Sequence, residues 1–247
     1  MKQNIYDSPG FFKGYQRMRE KGPGLNEMVE QLAMLSLLPE VKGMTVLDLG
    51  CGTGDLSRRI KALGARQVTG VDISANMLDL ARKDNPEGIT FEQRAMEDLK
   101  FNPHTFDLVV SSLALHYIAD LAGMAWNIYD WLKPSGTFLF SIEHPVLTSS
   151  QGIHRGWVKD QSGNKLYWPI DCYSEEGTRE SHWFVEGVIK YHRTLSTTLN
   201  SLIDAGFNIK KVMEPKATPA DEQKWPEMKE AARRPPFLIV KAVKPGL

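Results

Sequence analysis

The sequence predicts an α/β protein, a doubly wound and mostly parallel seven-stranded sheet with helices on both faces. Three observations predict it. From residue 44 onward, short β-branched apolar runs alternate with stretches of helical periodicity, the rhythm of strand–helix–strand units. Three glycines at alternate positions follow the first run, in "VLDLGCGTGDLS" (46–57), where a strand would turn into a helix. The chain of 247 residues, 42% hydrophobic and 24% charged, is long enough for one large core with an excursion.

The elements follow in order. Residues 1–43 read as helical: "FFKGYQRMRE", then "GPGLNEMVEQLAMLSLLPEV", punctuated by Pro23 and Gly24, with Met28, Leu32, Leu35 and Leu38 at helical spacing. "MTVLDLG" is a strand and "DLSRRIKALGA" a helix closed by Gly64. "QVTGVDI" is a strand, and "SANMLDLARKDN" is a helix with Ser74 as its N-cap. "ITFEQRA" is a strand, "FDLVVSSLALHYI" a strand and its exit, "LAGMAWNIYDWLK" a helix and "GTFLFSIEHPV" a strand. The rhythm breaks at Leu147. Residues 147–190 read as irregular, and so long a loop inside a compact domain points to function. "HRTLSTTLNSLIDAGF" then gives a helix closed by Gly206, followed by strand "NIKKVME". A shorter excursion, "ATPADEQKWPEMKEAARRPP", precedes the last strand, "FLIVKAV".

Composition excludes several classes. Lysine plus arginine equals aspartate plus glutamate, 30 against 30, so no net field draws in a polyanion and no nucleic-acid partner is expected. Cys51 and Cys172 form no disulfide framework and no metal-type pair, so no metal is expected. The N-terminus lacks an apolar signal core, and no run approaches the roughly 18 apolar residues of a membrane span. A soluble, cytoplasmic protein is expected.

The glycine loop places its backbone N–H groups near the positive end of the helix it opens. Gly50, Gly52 and Gly54 permit close approach and positive φ, and Cys51 supplies a small side chain between them. Counted from Gly50, the last position of a dinucleotide fingerprint falls on Asp55, and a carboxylate facing a pyrophosphate disfavours nicotinamide and flavin cofactors. Asp48 instead suits a ligand carrying an amino acid's ammonium. Asp72, about twenty residues on at the end of the second strand, suits both hydroxyls of an unphosphorylated ribose. Ile73 and Met77 would flank an adenine; Met96 and Glu97 turn over the crevice, and Ser111 and Leu113 leave the fourth strand at the same edge.

"VLDLGCGTG", "GVDIS", "AMEDL" and "FDLVVSSLALHY", in that order and register, resemble the successive motifs of the class I S-adenosylmethionine-dependent methyltransferases. The resemblance spans roughly residues 40–145 and extends to the end through "DAGF" and the strands around it. It implies a Rossmann-like fold, S-adenosyl-L-methionine as cofactor and methyl transfer as the activity. "FSIEHPV", "WPID", "EEG" and "VIKYHRT" are similar to a bacterial small-molecule branch of the methyltransferase type 11 group without an assigned substrate. One departure stands out: many relatives carry Asp two residues before the position of Glu97, and this chain has Ala95. In similar enzymes an N-terminal helix closes over the cofactor and a tyrosine or arginine meets its carboxylate; Tyr15 and Arg19, four apart on one helical face, are the matching candidates. The chain thus divides into an N-terminal helical lid (1–43), a cofactor-binding core (44–146), an aromatic-rich substrate-side insertion after the fifth strand (147–192) and a C-terminal part completing the sheet (193–247).

Methyl transfer demands placement of the acceptor and exclusion of water, with a general base only where the acceptor loses a proton. His116 follows the fourth strand, Glu143 and His144 follow the fifth, and both exits face the crevice; these are the catalytic candidates. His116 fits equally well as a packed structural histidine, and His192 as a helix cap. Trp157, Tyr167, Trp168, Tyr173, Trp183 and Phe184 populate the insertion, whose cations (Arg155, Lys159, Lys165, Arg179, Lys190) are offset by acids. That composition suits a lid over a planar small-molecule methyl acceptor. Alternatives at this point are an RNA or protein methyltransferase and a non-catalytic cofactor-binding protein.

Overall fold

The computed structural model describes residues 2–20, 24–83, 85–150, 156–225 and 228–246. Pro23 and Arg155 lie outside them. Seven strands form one sheet: β1 (Thr45–Leu49), β2 (Gln67–Asp72), β3 (Ile89–Gln93), β4 (Phe106–Ser111), β5 (Leu132–Glu143), β10 (Asn208–Met213) and β11 (Phe237–Val243). Their order is β10-β11-β5-β4-β1-β2-β3, and β11 alone runs antiparallel to its neighbours. The doubly wound α/β fold is the one the alternation predicts.

The central strands are buried on both faces, which is why they read as unbroken apolar runs. In β4, Leu108 and Val110 face one core while Val109 faces the other; in β5, Leu139 opposes Phe138 and Phe140. Helices α3 (Asp55–Ala62) and α4 (Ala75–Lys83) cover the first face with Leu56, Ile60, Leu78 and Ala81. Helices α5 (Leu121–Trp131) and α7 (Leu195–Asp204) cover the second, α5 through Leu121, Met124, Ala125, Ile128 and Trp131 at helical spacing. Ser74 caps α4 by accepting the Met77 N–H at 3.1 Å.

Two readings change in detail. The helix that Met28, Leu32, Leu35 and Leu38 announce is present, and Leu35 and Leu38 pack against the core. That helix opens with a π turn, Asn26–Glu30, before α2 (Gln31–Leu37); Val29, Glu30 and Met34 face inward and Leu32 is 52% exposed. The wider turn shifts the phase of everything before it. The excursion after β5 is also not structureless. After the short α6 (Pro145–Thr148) come the paired strands β6 (Val158–Lys159) and β7 (Lys165–Tyr167). A hairpin follows, β8 (Gly177–Trp183) with β9 (Val185–His192), turning at Phe184 with φ 62°. Its buried positions are Arg179, Val188, Lys190 and His192, so the inward face lacks the apolar alternation that announces a strand.

The N-terminal segment, α1 (Pro9–Glu20) after a 3-10 turn at Ile5–Asp7, lies against this hairpin. A Cβ at Gly14 would sit 2.6 Å from Phe184 Cγ, so only glycine admits the ring there. The second excursion folds into α8 (Pro219–Lys224), with a Thr218–Asp221 capping box, and α9 (Lys229–Arg233). No helix among the described residues is long and apolar enough to cross a membrane.

Candidate active site

A cavity of about 590 Å³ opens at the carboxyl ends of the parallel strands, where open α/β sheets bind ligands. Its floor is the glycine loop. Gly50 N and Cys51 N both donate to Val71 O, at 2.8 and 3.0 Å, which ties the loop to β2. Gly50 has φ 70°, and a Cβ there would fall 2.3 Å from that of Ala114, so the exit of β4 packs directly on the loop. Gly52 N donates to Asp72 Oδ2 at 2.9 Å, while Asp72 Oδ1 accepts from Ser74 N at 2.8 Å. Burial raises the Asp72 carboxyl above its ordinary range, against the pull of those two N–H groups.

Asp48 lies beneath the loop, 1% exposed, and accepts from Ser57 Oγ at 2.6 Å. Burial, aided by the charge of Asp72, pushes it up to about 7. Cys51, Ile73, Met77, Met96, Glu97 and Leu113 also line the cavity, with Ala95 beside them. Burial pushes the Cys51 thiol well up, so it is an inert wall and not a nucleophile. Leu113 has φ 51°, a left-handed conformation that costs a non-glycine residue on the order of 1–3 kcal/mol.

The roof is the N-terminal segment. Asp7 accepts from Ser74 Oγ (2.6 Å), Ala75 N (3.1 Å) and Asn76 N (3.0 Å), and so caps α4 from across the cavity. Gln3 donates to Gly187 O at 2.8 Å and accepts from Ile189 N at 3.0 Å, joining the hairpin. Tyr15 and Arg19 line the cavity between these attachments. Arg19 pairs with Glu27 and, at 3.1 Å, with Asp55. Burial raises the Tyr15 phenol.

At the far end stand His116, Tyr117, Glu143, Trp183, Trp225 and Phe237. Glu143 Oε1 accepts from Lys190 Nζ at 2.5 Å, and that ammonium sits 5.3 Å from the Trp183 ring centre. His116 is 4% exposed; burial lowers its imidazole to about 4, so it is neutral at pH 7. Tyr6 and Tyr117 share a hydrogen bond, and burial raises both phenols. These side chains make a small chamber with one compensated ion pair, a neutral imidazole and aromatic walls.

Three sequence candidates lie off the cavity. Gly54 shapes the start of α3 with φ 79°, its Cα against Phe91. Ser111 is buried and donates to Leu49 O at 2.9 Å, tying β4 to β1. His144 corrects a catalytic expectation: its Nδ1 accepts from Val146 N at 3.1 Å to cap α6, and its Nε2 meets Glu214 at 2.8 Å. Both ring nitrogens are engaged in holding β5 to the chain around β10. His192 likewise ends β9 and does not cap α7; it joins Thr148 Oγ1 (2.8 Å) and Tyr173 O (2.9 Å), while Thr194 is the cap.

Sequence reasoning did not single out Tyr6 and Tyr117, which line the cavity, or Asp7 and Lys190, which bond to residues around it. Tyr117 stood inside "SSLALHY", next to a residue already singled out. Tyr6 and Asp7 gave no signal, because the partners that tie them to the rest of the site, Ser74, Asn76, Tyr117 and Trp183, are distant in sequence. Among the described residues no group of three His, Cys, Asp or Glu is placed to hold a metal ion.

Comparison with known proteins fits this geometry. A family model described as a methyltransferase domain matches residues 46–136, from β1 into the first part of β5. A Haemophilus influenzae protein of uncharacterised function is 39% identical over 251 residues, covering 98% of each chain. An uncharacterised methyltransferase from Synechocystis is 30% identical over 210 residues, 83% of this chain and 85% of its own. The crystal structure of an S-adenosylmethionine-dependent methyltransferase from Mesorhizobium loti superimposes with a TM-score of 0.82 at 43% identity, covering 90% of this chain and all of that one. With glycines where a Cβ would clash, and the buried Asp48 and half-buried Asp72 both lining the cavity, the residues present suit a ligand of ribose hydroxyls and an ammonium. The chain belongs to the class I S-adenosylmethionine-dependent methyltransferases, and its cofactor is S-adenosylmethionine.

Proposed function

We propose that the enzyme methylates an oxygen, nitrogen or carbon of a small-molecule acceptor held at the Glu143 end of the cavity. The observation that carries this reading is the enclosure: about 590 Å³, in the range of small-ligand sites (roughly 300–1,000 Å³), roofed by the N-terminal segment and the hairpin. With the cofactor over the glycine loop, the space left suits a compact planar molecule and not a folded RNA or polypeptide. When bound, S-adenosylmethionine supplies an electrophilic methyl carbon on a sulfonium.

In this reading Asp72 accepts from both ribose hydroxyls and Asp48 faces the ammonium. Ile73, Met77 and Met96 enclose the adenine, with Glu97 at its polar rim. Tyr15 and Arg19 close the carboxylate end. On the acceptor side, the Glu143 carboxylate receives the acceptor's O–H or N–H, while neutral His116 and the Tyr6–Tyr117 pair orient it between aromatic walls. Placement is the main contribution, worth on the order of 7–11 kcal/mol at its limit.

The test is a screen with labelled methyl donor against small phenols, hydroxy acids, amines and acidic carbon compounds, alongside tRNA and denatured cell protein. Label in the low-mass fraction is expected. Label in the macromolecular fractions alone would overturn the reading. With an acceptor in hand, Glu143→Gln is expected to lower kcat by about 10²-fold while cofactor affinity holds within a factor of a few.

A further inference from the structure

Glu30 lies in none of the motifs and off the cavity wall, yet it is fully buried at 0% exposure. The π turn at Asn26–Glu30 aims its carboxyl group at the seam between β4 and β5. Oε1 accepts from Ser112 Oγ at 2.9 Å and also from Ser141 Oγ; Oε2 has no hydrogen-bond partner among the described residues. Ser141 Oγ in turn accepts the Leu113 N–H at 2.9 Å, shared with Ser141 O at 3.2 Å. Leu113 holds φ 51° on the cavity wall, and Ala114 beside it rests on Gly50.

A leucine does not settle in the left-handed region unaided; its surroundings must impose that conformation. Here the imposing groups converge on one carboxyl. A buried carboxyl is also a costly way to fill a helix face that an apolar side chain would fill with less penalty. Its presence calls for something only a polar acceptor provides. We propose that Glu30 is a positioning residue for the methyl-donor site: by accepting from Ser112 and Ser141 it holds Leu113 and Ala114 against the glycine loop. Burial that pushes the group up to about 7 is in keeping with a carboxyl that acts as a fixed acceptor and not as a free anion.

The inference rests on the cofactor and not on the acceptor, so binding alone tests it and its failure leaves the acceptor reading untouched. Calorimetry with S-adenosylhomocysteine would compare the full-length protein with Glu30→Gln, Glu30→Leu and Ser141→Ala. Each would be measured again in a Leu113→Gly background, since glycine takes positive φ without help. Glu30→Gln, which keeps an acceptor oxygen, is expected to bind within about twofold of the parent. Glu30→Leu and Ser141→Ala are expected to bind about tenfold or more weakly, the scale of a lost buried hydrogen bond. In the Leu113→Gly background that loss is expected to shrink to about threefold or less, the signature of coupling. Equal losses in both backgrounds would make Glu30 a mere core residue and overturn the proposal, as would unchanged binding in Glu30→Leu. Should Glu30→Leu fail to fold, Ser112→Ala decides, because it removes a Glu30 bond without touching the Leu113 N–H: a loss that shrinks in the Leu113→Gly background supports the proposal, and unchanged binding overturns it.

Discussion

Asp48 shows what a single residue contributes in two currents at once. Its carboxyl is almost fully buried beside one serine hydroxyl, and burial moves it from 3.8 in the open chain to about 7 in the fold. The native state therefore binds the proton more tightly than the unfolded chain does. Its favourable contribution is full below about pH 4 and is lost as the pH rises through about 7, a change on the order of a few kcal/mol. Asp48→Asn is thus expected to raise the melting temperature of the ligand-free protein at pH 8 and to raise it by a smaller amount at pH 5, inside the same window. The same variant is expected to weaken S-adenosylmethionine binding, because an amide does not attract an ammonium as a carboxylate does. Melting at the two pH values with calorimetry beside it checks both halves; a variant that is destabilised at pH 8 would contradict the argument. The parent's affinity is expected to rise from pH 6 to 8 with release of a proton on binding, measurable in buffers of different ionisation enthalpy.

Between elements, the attachment of the N-terminal segment to α4 is the contact most open to test. Despite the opposing effect of burial, hydrogen bonds from Ser74, Asn76, Asn4 and Ala75 hold the Asp7 carboxyl below its ordinary value, so it is a charged cap at neutral pH. Asp7→Ala is expected to cost about 1 kcal/mol of stability, as lost caps do, and to weaken cofactor binding together with it. Removal of residues 1–20 is expected to weaken that binding about tenfold or more, and unchanged calorimetric affinity would sink the idea. The elements differ in how legible they were. Six of the seven strands could be read because each is a largely apolar run bounded by glycine or polar punctuation, and the exposed edge strand β10 could be read from its place after the helix closed by Gly206. The β8–β9 hairpin could not, because Arg179, Lys190 and His192 occupy the inward positions an apolar pattern would mark. Glu30 could not, because a π turn displaces the helical phase by which inward residues are counted. The floor of the site was legible because Gly50, Gly52 and Asp72 are close in sequence and fixed by backbone chemistry. Its roof and far wall are made by long-range meetings that no local pattern encodes.

At the scale of the whole molecule, the two excursions from the sheet are clasped to each other. Arg233 lies 4.5 Å from the Trp157 ring centre and donates to Lys165 O at 3.0 Å, while Arg234 lies 4.0 Å from the Trp168 ring centre. Lys165 pairs with Glu230. Such guanidinium–aromatic contacts are worth on the order of 0.5–2 kcal/mol each. Arg234→Ala is expected to speed amide exchange in 157–168 and 219–234 together, and to raise KM for the acceptor more than for the cofactor. Faster exchange in only one of the two segments would show that they are not joined. The N-terminal strap has a wider consequence. Residues 3–7 are fastened on one side to the hairpin, at Gly187 and Ile189, and on the other to α4, at Ser74, Ala75 and Asn76. A strap anchored at both ends bridges the hairpin to the helix beside the glycine loop, so loosening one anchor is expected to loosen the other: Asp7→Ala is expected to speed amide exchange at Ile189 as well as at Asn76, and faster exchange at Asn76 alone would show the two anchors to be independent.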